Sequence, residues 1–247
     1  MKIKNILKDK YRYSAFTLSE VLIALVIIGV IAAMTVPIMI AHYQKEETVS
    51  KVKKVYSTLN QTTYKAIADY GPVTDWEMQN GQTRDTAKFF ADRYLIPYLN
   101  ILKICENNTD KECKFDKDCL NGEVCRFSDT NDSKSYRFYL ADGTYINVSA
   151  AVNLNSTGHR KRAAIFFDIN GNKGPNKVGR DIFALEYFIE TLKYPDDNGN
   201  IVPAYVNKSR SDLLSNKSDM CNKKQNGYAC LAVIYKDGWD IKSDYPW

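Results

Sequence analysis

Histidine is scarce in this 247-residue chain: there are two, His42 and His159. His42 follows a long apolar run, and His159 sits among Gly158, Arg160, Lys161 and Arg162, a setting that reads as a solvated, charged turn. There is no Ser/His/Asp order, no His-Glu-x-x-His and no glycine-rich phosphate loop, so the common hydrolase, zinc-peptidase and nucleotide-binding classes have no motif to stand on. Asp196-Asp197 leads into Asn198-Gly199 and reads as a turn rather than as acid/base machinery. Internal repeats are lacking. So is a basic excess: the first fifteen residues hold five basic side chains and one acid, which accounts for +4 of the formal +5 and leaves the remainder at +1. Nothing in that balance marks a nucleic-acid binder. The longest absence is of charge itself, over residues 21–41. At about 1.5 Å per helical residue this run spans roughly 31 Å, the thickness of a bilayer core.

What stands at the edge of that run is Glu20, preceded by Ala15-Phe16-Thr17-Leu18-Ser19 and by a short basic leader. A carboxylate at the margin of lipid costs a few kcal/mol without a partner, so it marks function by default. The order of parts resembles the type IV prepilin signature: a basic leader, a small residue at the cut, then Phe-Thr-Leu-x-Glu opening an apolar helix. The resemblance implies cleavage by a prepilin peptidase between Ala15 and Phe16, N-methylation of Phe16, and a role for Glu20 as the family's acidic residue near the mature N-terminus. Gly29 and Pro37 fall where many members have glycine and proline; Ala15 stands where the family usually has glycine. Two plainer readings compete. A secretory signal peptide, with Ala32 and Ala33 as small residues for cleavage, conflicts with the length of the run and with the acid beside it. A simple single-span anchor needs neither Phe-Thr-Leu at the boundary nor the glutamate.

Six cysteines, Cys105, Cys113, Cys119, Cys125, Cys221 and Cys230, all lie beyond the apolar run, and an even number there suits an oxidising compartment. Four crowd into twenty-one residues, which favours local bridges; their spacings contain no Cys-x-x-Cys pair, which argues against zinc. The resemblance further implies a Cys221–Cys230 bridge closing a C-terminal loop, as in many pilins.

Apolar periodicity continues past the run. Val49, Val52, Tyr56, Leu59, Thr63, Ile67 and Tyr70 recur at steps of three and four, and Gly71-Pro72 supplies a stop. One helix over residues 17–69 is expected, apolar all round in its first half and amphipathic in its second, with a kink at Pro37. A second helix is expected over 85–94, capped by Asp85 and facing inward with Phe89, Phe90 and Tyr94. Residues 105–125 read as a disulfide-stapled loop. Strands are expected at 136–140 and 144–148, flanking the hairpin signal Asp142-Gly143, and at 163–167 and 182–189. Hairpins without βαβ alternation imply an antiparallel sheet, one face of which buries the amphipathic half of the helix. The expected fold is α+β and pilin-like, with a leader at 1–15, a transmembrane or filament-core helix half at 16–41, and a globular domain at 42–247. The tail carries one more apolar run, 231–235, and an aromatic group, Trp239, Tyr245 and Trp247, for which core packing is the commoner explanation than a binding stripe.

One stretch of the globular region carries candidate metal chemistry. Asp168, Asn170, Asn172 and Asp181 place oxygen side chains around glycines in a loop that partly resembles an EF-hand. Calcium takes six to eight oxygens at about 2.3–2.6 Å. The twelfth position, where calcium loops carry a bidentate acid, is Gly179, with Asp181 two residues later. Some secretion pseudopilins bind calcium in a loop beside their sheet, which supports the reading; the rival is an ordinary turn, since turns also want Asn, Asp and Gly.

Taken together, the resemblance implies a non-enzymatic structural subunit of a type II secretion pseudopilus or a type IV pilus, serving secretion, adhesion, motility or DNA uptake. Its partners would be membrane lipid, other pilin or pseudopilin subunits, the prepilin peptidase and an inner-membrane assembly platform. It would sit in the bacterial inner membrane as a single-pass protein, N-terminus cytoplasmic, until assembled into a filament. A mature chain of 232 residues favours a minor or specialised subunit. The alternative is an anchored extracytoplasmic binding or enzymatic domain, which would need a convergent polar pocket; no sequence motif points to one.

Overall fold

The computed structural model describes residues 17–106, 113, 117–125, 134–155, 158–189 and 201–247. Contacts divide the chain into two units, one ending at Gln44 and the other covering Lys45–Trp247. The cut expected between Ala15 and Phe16, and the turn at Asp196-Asp197, lie outside the described residues.

Helix α1 spans Leu18–Tyr70 and continues through Pro37. In the first unit it is apolar on every side: Leu25, Ile28, Met34 and Ile38 each expose more than half of their surface. A helix of this kind is at home in lipid or among copies of itself rather than in water. It is long and apolar enough to cross a membrane.

In the second unit α1 becomes one-sided. Thr48, Val52, Val55, Leu59, Thr62, Thr63 and Ala66 are buried, while Val49, Tyr56 and Ile67 are half-buried and Tyr70 is 40% exposed. The buried face is therefore rotated from the expected stripe towards a row of threonines and an alanine. These small side chains look weakly apolar in a hydropathy pattern, yet Thr63 is buried with its hydroxyl partnered: Thr63 Oγ1 donates to the Leu59 carbonyl at 2.8 Å and lies 2.6 Å from the Tyr187 hydroxyl.

The sheet is a six-stranded antiparallel meander in sequence order: β1 (Ile101–Cys105), β2 (Tyr136–Leu140), β3 (Tyr145–Asn155), β4 (Gly158–Asp168), β5 (Ile182–Phe188) and β6 (Val202–Pro203). The Asp142-Gly143 turn sits where expected, with Gly143 at φ +87 and Asp142 Oδ1 accepting from the Thr144 amide at 3.1 Å. Two differences stand out. β1 was not anticipated, because Ile101 and Ile104 give only a weak alternation. β3 and β4 run much further than their apolar cores, in register to Asn155↔Gly158, so the basic residues from His159 to Arg162 belong to a strand and not to a turn. A run of consecutive basic residues hid that strand; at its end Arg162 is exposed while Ala163 is fully buried.

Helix α2 (Arg84–Tyr94) starts one residue earlier than expected, and its cap is Thr83, whose hydroxyl accepts from the Thr86 amide at 3.2 Å, rather than Asp85. An aromatic knot holds it on the sheet. Trp76 stacks on Tyr94 with centroids 4.2 Å apart, and Phe90 meets Tyr187 of β5 at 5.5 Å. Phe89, expected inward, is only half-buried. Two short helices follow β6, α3 (Arg210–Leu213) and α4 (Cys230–Lys236); the apolar run 231–235 is thus helical, and its Leu231, Ala232, Val233 and Ile234 are fully buried. Disulfides join Cys105 to Cys113, Cys119 to Cys125 and Cys221 to Cys230, local pairings throughout.

Removing the Tyr187 hydroxyl (Tyr187→Phe) leaves a buried threonine short of a partner and should cost about 1 kcal/mol. Leu59→Ala opens a cavity beneath the sheet and should cost about 2–5 kcal/mol. Denaturant unfolding of the full chain in detergent measures both, and equal losses would contradict this account of the interface.

Candidate functional site

Two places concentrate functional side chains. The first is the start of α1. Thr17 and Glu20 form a reciprocal capping box: the Glu20 amide donates to Thr17 Oγ1 at 3.3 Å, and Glu20 Oε2 accepts from the Thr17 amide and hydroxyl, both at 2.8 Å. The signature Thr-x-x-Glu is legible in sequence, and the capping role is separate from the family resemblance. It satisfies a helix N-terminus that would otherwise face lipid with unpaired N–H groups. Glu20 is exposed, so its carboxylate is reachable by another chain. Ala15 and Phe16 lie outside the described residues.

The second place is the loop from Asp168 to Asp181, joining β4 to β5. Three anchors fix it. The stapled segment around Cys119–Cys125 pairs with it, the Asp118 amide donating to the Asn176 carbonyl at 2.9 Å and the Val178 amide to the Asp118 carbonyl at 2.8 Å. Tyr245 donates its hydroxyl to the Gly179 carbonyl at 2.6 Å. Gly179 itself packs so closely on the Cys221–Cys230 bridge that a Cβ there would lie 2.9 Å from Cys230 Sγ. Tyr245 is thus a packing residue. Trp239 also packs, with its ring 5.1 Å from that of Tyr56, and the Arg180 guanidinium lies 5.1 Å from the Trp247 ring.

Within this frame Asp168, Asn170 and Asp181 come together, while Asn172 is exposed on the outside of the loop. Asp168 is 1% exposed and Asp181 2%. Asp181 accepts from the backbone amides of Asn176 and Lys177. Asp168 Oδ1 accepts from the Asn170 amide at 3.0 Å, but Asp168 Oδ2 and Asn170 Oδ1 are buried with no hydrogen-bond donor. Burial, then the negative charge of Asp181, pushes Asp168 up to about 8, against the Asn170 amide and the charge of Lys117. Burial likewise raises Asp181. Lys117 is itself buried, with its ammonium 4.7 Å from the ring of Tyr145, the residue opposite Asp168 across β3 and β4. The loop therefore holds two buried acids and two orphaned oxygens, with the buried Lys117 beside it. Orphaned oxygen acceptors beside carboxylates are what a hard cation such as calcium takes up. Among the described residues no three His, Cys, Asp or Glu side chains converge as a metal set, so such an ion would draw on amide and backbone oxygens as well.

A long helix whose first half is apolar all round, a capping acid at its head, and an antiparallel sheet with disulfides define a pilin-like protein. The sequence comparisons agree. Residues 10–36 match the model described as the prokaryotic N-terminal methylation motif. Residues 38–247 match the family described as "Family of unknown function (DUF6613)", and the chain belongs to that family. No curated protein and no solved structure matches the chain. The chain is a type IV pilin-like protein carrying the prepilin methylation motif and a helix long and apolar enough to cross a membrane.

Gly171 has φ +70, and a Cβ there would lie 2.9 Å from the Gly143 carbonyl oxygen of the neighbouring hairpin. Gly171→Ala should therefore destabilise the chain by more than about 1 kcal/mol, from backbone strain and overlap together. Thermal unfolding of the variant checks this; an unchanged midpoint would mean that the loop is not held against the β2–β3 turn.

Proposed function

We propose that the protein is a structural, non-enzymatic subunit of a type II secretion pseudopilus or type IV pilus. A prepilin peptidase cuts between Ala15 and Phe16 and methylates Phe16. Residues 16–41 then anchor the chain in the bacterial inner membrane, and 42–247 form a domain outside the cytoplasm; the basic leader favours this orientation. An inner-membrane assembly platform moves the subunit into a helical filament of pilin or pseudopilin copies. Head-to-tail contacts that do not close generate such a filament. The observation that carries the reading is Glu20 at the head of the uncharged run 21–41, matched to the methylation motif. In the filament, Glu20 exchanges its Thr17 amide for the methylated amine of Phe16 on a neighbouring subunit, a pairing that fixes axial register more than it adds stability.

Expression with a prepilin peptidase, followed by intact mass and N-terminal sequencing, tests the processing step: loss of residues 1–15 and a methylated Phe16 are expected. Glu20→Ala should be cut normally but enter filaments poorly, scored by shearing and immunoblot. Incorporation at the wild-type level would refute the register role.

We also propose that the Asp168 loop takes calcium, with Asp168, Asn170 and Asp181 as side-chain ligands and Asn172 outside the set. The orphaned oxygens of Asp168 and Asn170 support it. Calcium at one hundred times its dissociation constant should stabilise the fold by about 2.7 kcal/mol. Thermal unfolding with calcium and with chelator reads the shift, and Asp168→Asn should abolish it. A midpoint indifferent to calcium would refute the site.

A further inference from the structure

The sheet has a second face, and it holds a cleft. By the period-two rule, Ala163, Ile165, Phe167, Leu185 and Tyr187 point into the main core, so Arg162, Ala164, Phe166, Ala184 and Glu186 point the other way. On that second face three short side chains adjoin: Ser149 lies opposite Ala164, and Ala184 lies opposite Phe166. Ala204, whose amide donates to the Ala184 carbonyl at 3.1 Å, extends the floor. The result is a cleft of about 370 Å3, within the range of small-molecule sites.

Two carboxylates, Glu186 and Asp219, and two cations, Arg162 and Lys134, line it. Glu186 projects from β5, opposite Ala164, with its side chain 12% exposed. Its ion-pair partner is Arg162 at 3.5 Å, whose own side chain is 55% exposed. Asp219 comes from the C-terminal segment and is held by the Tyr205 hydroxyl at 2.8 Å and the Asn226 amide at 3.0 Å. Tyr205 and Asp219 both sit at positive φ, +66 and +67, a conformation that costs a non-glycine residue free energy and that tends to mark functional sites. The Cys221–Cys230 bridge flanks the wall: Asp219 lies two residues before one cysteine and Tyr228 two before the other. Tyr228 packs edge-on against Phe166 with centroids 5.4 Å apart, and with Tyr205 it gives the cleft aromatic sides.

Ionised carboxylates only accept hydrogen bonds, and aromatic faces attract cations. A buried acid whose cationic partner is long and half in solvent is incompletely compensated. Burial raises Glu186; Arg162 opposes the rise, and Asp219 adds to it by a smaller amount. We propose that this cleft binds a small molecule presenting a primary ammonium group, which enters between Glu186 and Asp219 and displaces Arg162 towards solvent. The site goes beyond the filament reading and does not depend on it.

The probe is cadaverine, titrated by calorimetry into the full chain in detergent, with 1-pentanol and glucose as uncharged controls. Cadaverine should bind and the controls should not. Glu186→Gln should weaken binding at least tenfold. Arg162→Ala should tighten it several-fold, because the internal competitor is gone; a gain of affinity cannot arise from loss of folding, so this variant decides the matter even where Glu186→Gln folds poorly. No cadaverine binding at millimolar concentration, preference for glucose, or unchanged or weakened affinity in Arg162→Ala would each overturn the assignment.

Discussion

The burial of one face of α1 beneath the sheet is the contact on which the globular unit depends. Val52, Leu59 and Ala66 are wholly buried there, and each large apolar side chain so placed is worth roughly 1.5–3 kcal/mol. Threonine rather than leucine fills much of the rest, and the Leu59–Thr63–Tyr187 chain of hydrogen bonds discharges the polar cost. The aromatic knot of Trp76, Phe90, Tyr94 and Tyr187 closes around the end of the same interface.

Covering the second face falls to the disulfide-stapled segments. Cys105 and Cys113 pack with Tyr145, and Cys119 and Cys125 with Val178 and Ile182. A short loop rich in charge and asparagine cannot bury enough apolar surface to order itself, and a bridge lowers the entropy of its unfolded state instead. The third bridge, Cys221–Cys230, serves two sites at once. It abuts Gly179 in the acidic loop and flanks Asp219 and Tyr228 in the cleft wall. The C-terminal tail is stiffened further by Arg210, which binds Asp237 and Asp244 together.

The legible parts of the chain are those whose cause is local. The uncharged run, the prepilin-like hexapeptide, the Asp142-Gly143 hairpin and the cysteine spacing each act over a few residues, and all are visible without a fold. The Thr17–Glu20 capping box was equally local, and its Thr-x-x-Glu signal stood in plain view beside the family resemblance. Strand β1 and the outer halves of β3 and β4 were hidden because their pairing comes from neighbours in the sheet rather than from hydropathy. Asn172 fits the calcium pattern by spacing alone, yet the loop turns it outwards.

The sequence by itself determined the anchor, the class of protein and the antiparallel character of the sheet, since periodicity, charge and turn chemistry are properties of short segments. Only the tertiary structure decided which acids are buried and which meet. Asp168 faces Asp181 across the twelve residues between them. Glu186 meets Asp219 only because β5 and the bridged C-terminal segment line one cleft. This second encounter joins residues far apart in the chain, and no local pattern encodes it: it follows from strand register, from disulfide closure and from the face of the sheet on which each side chain emerges.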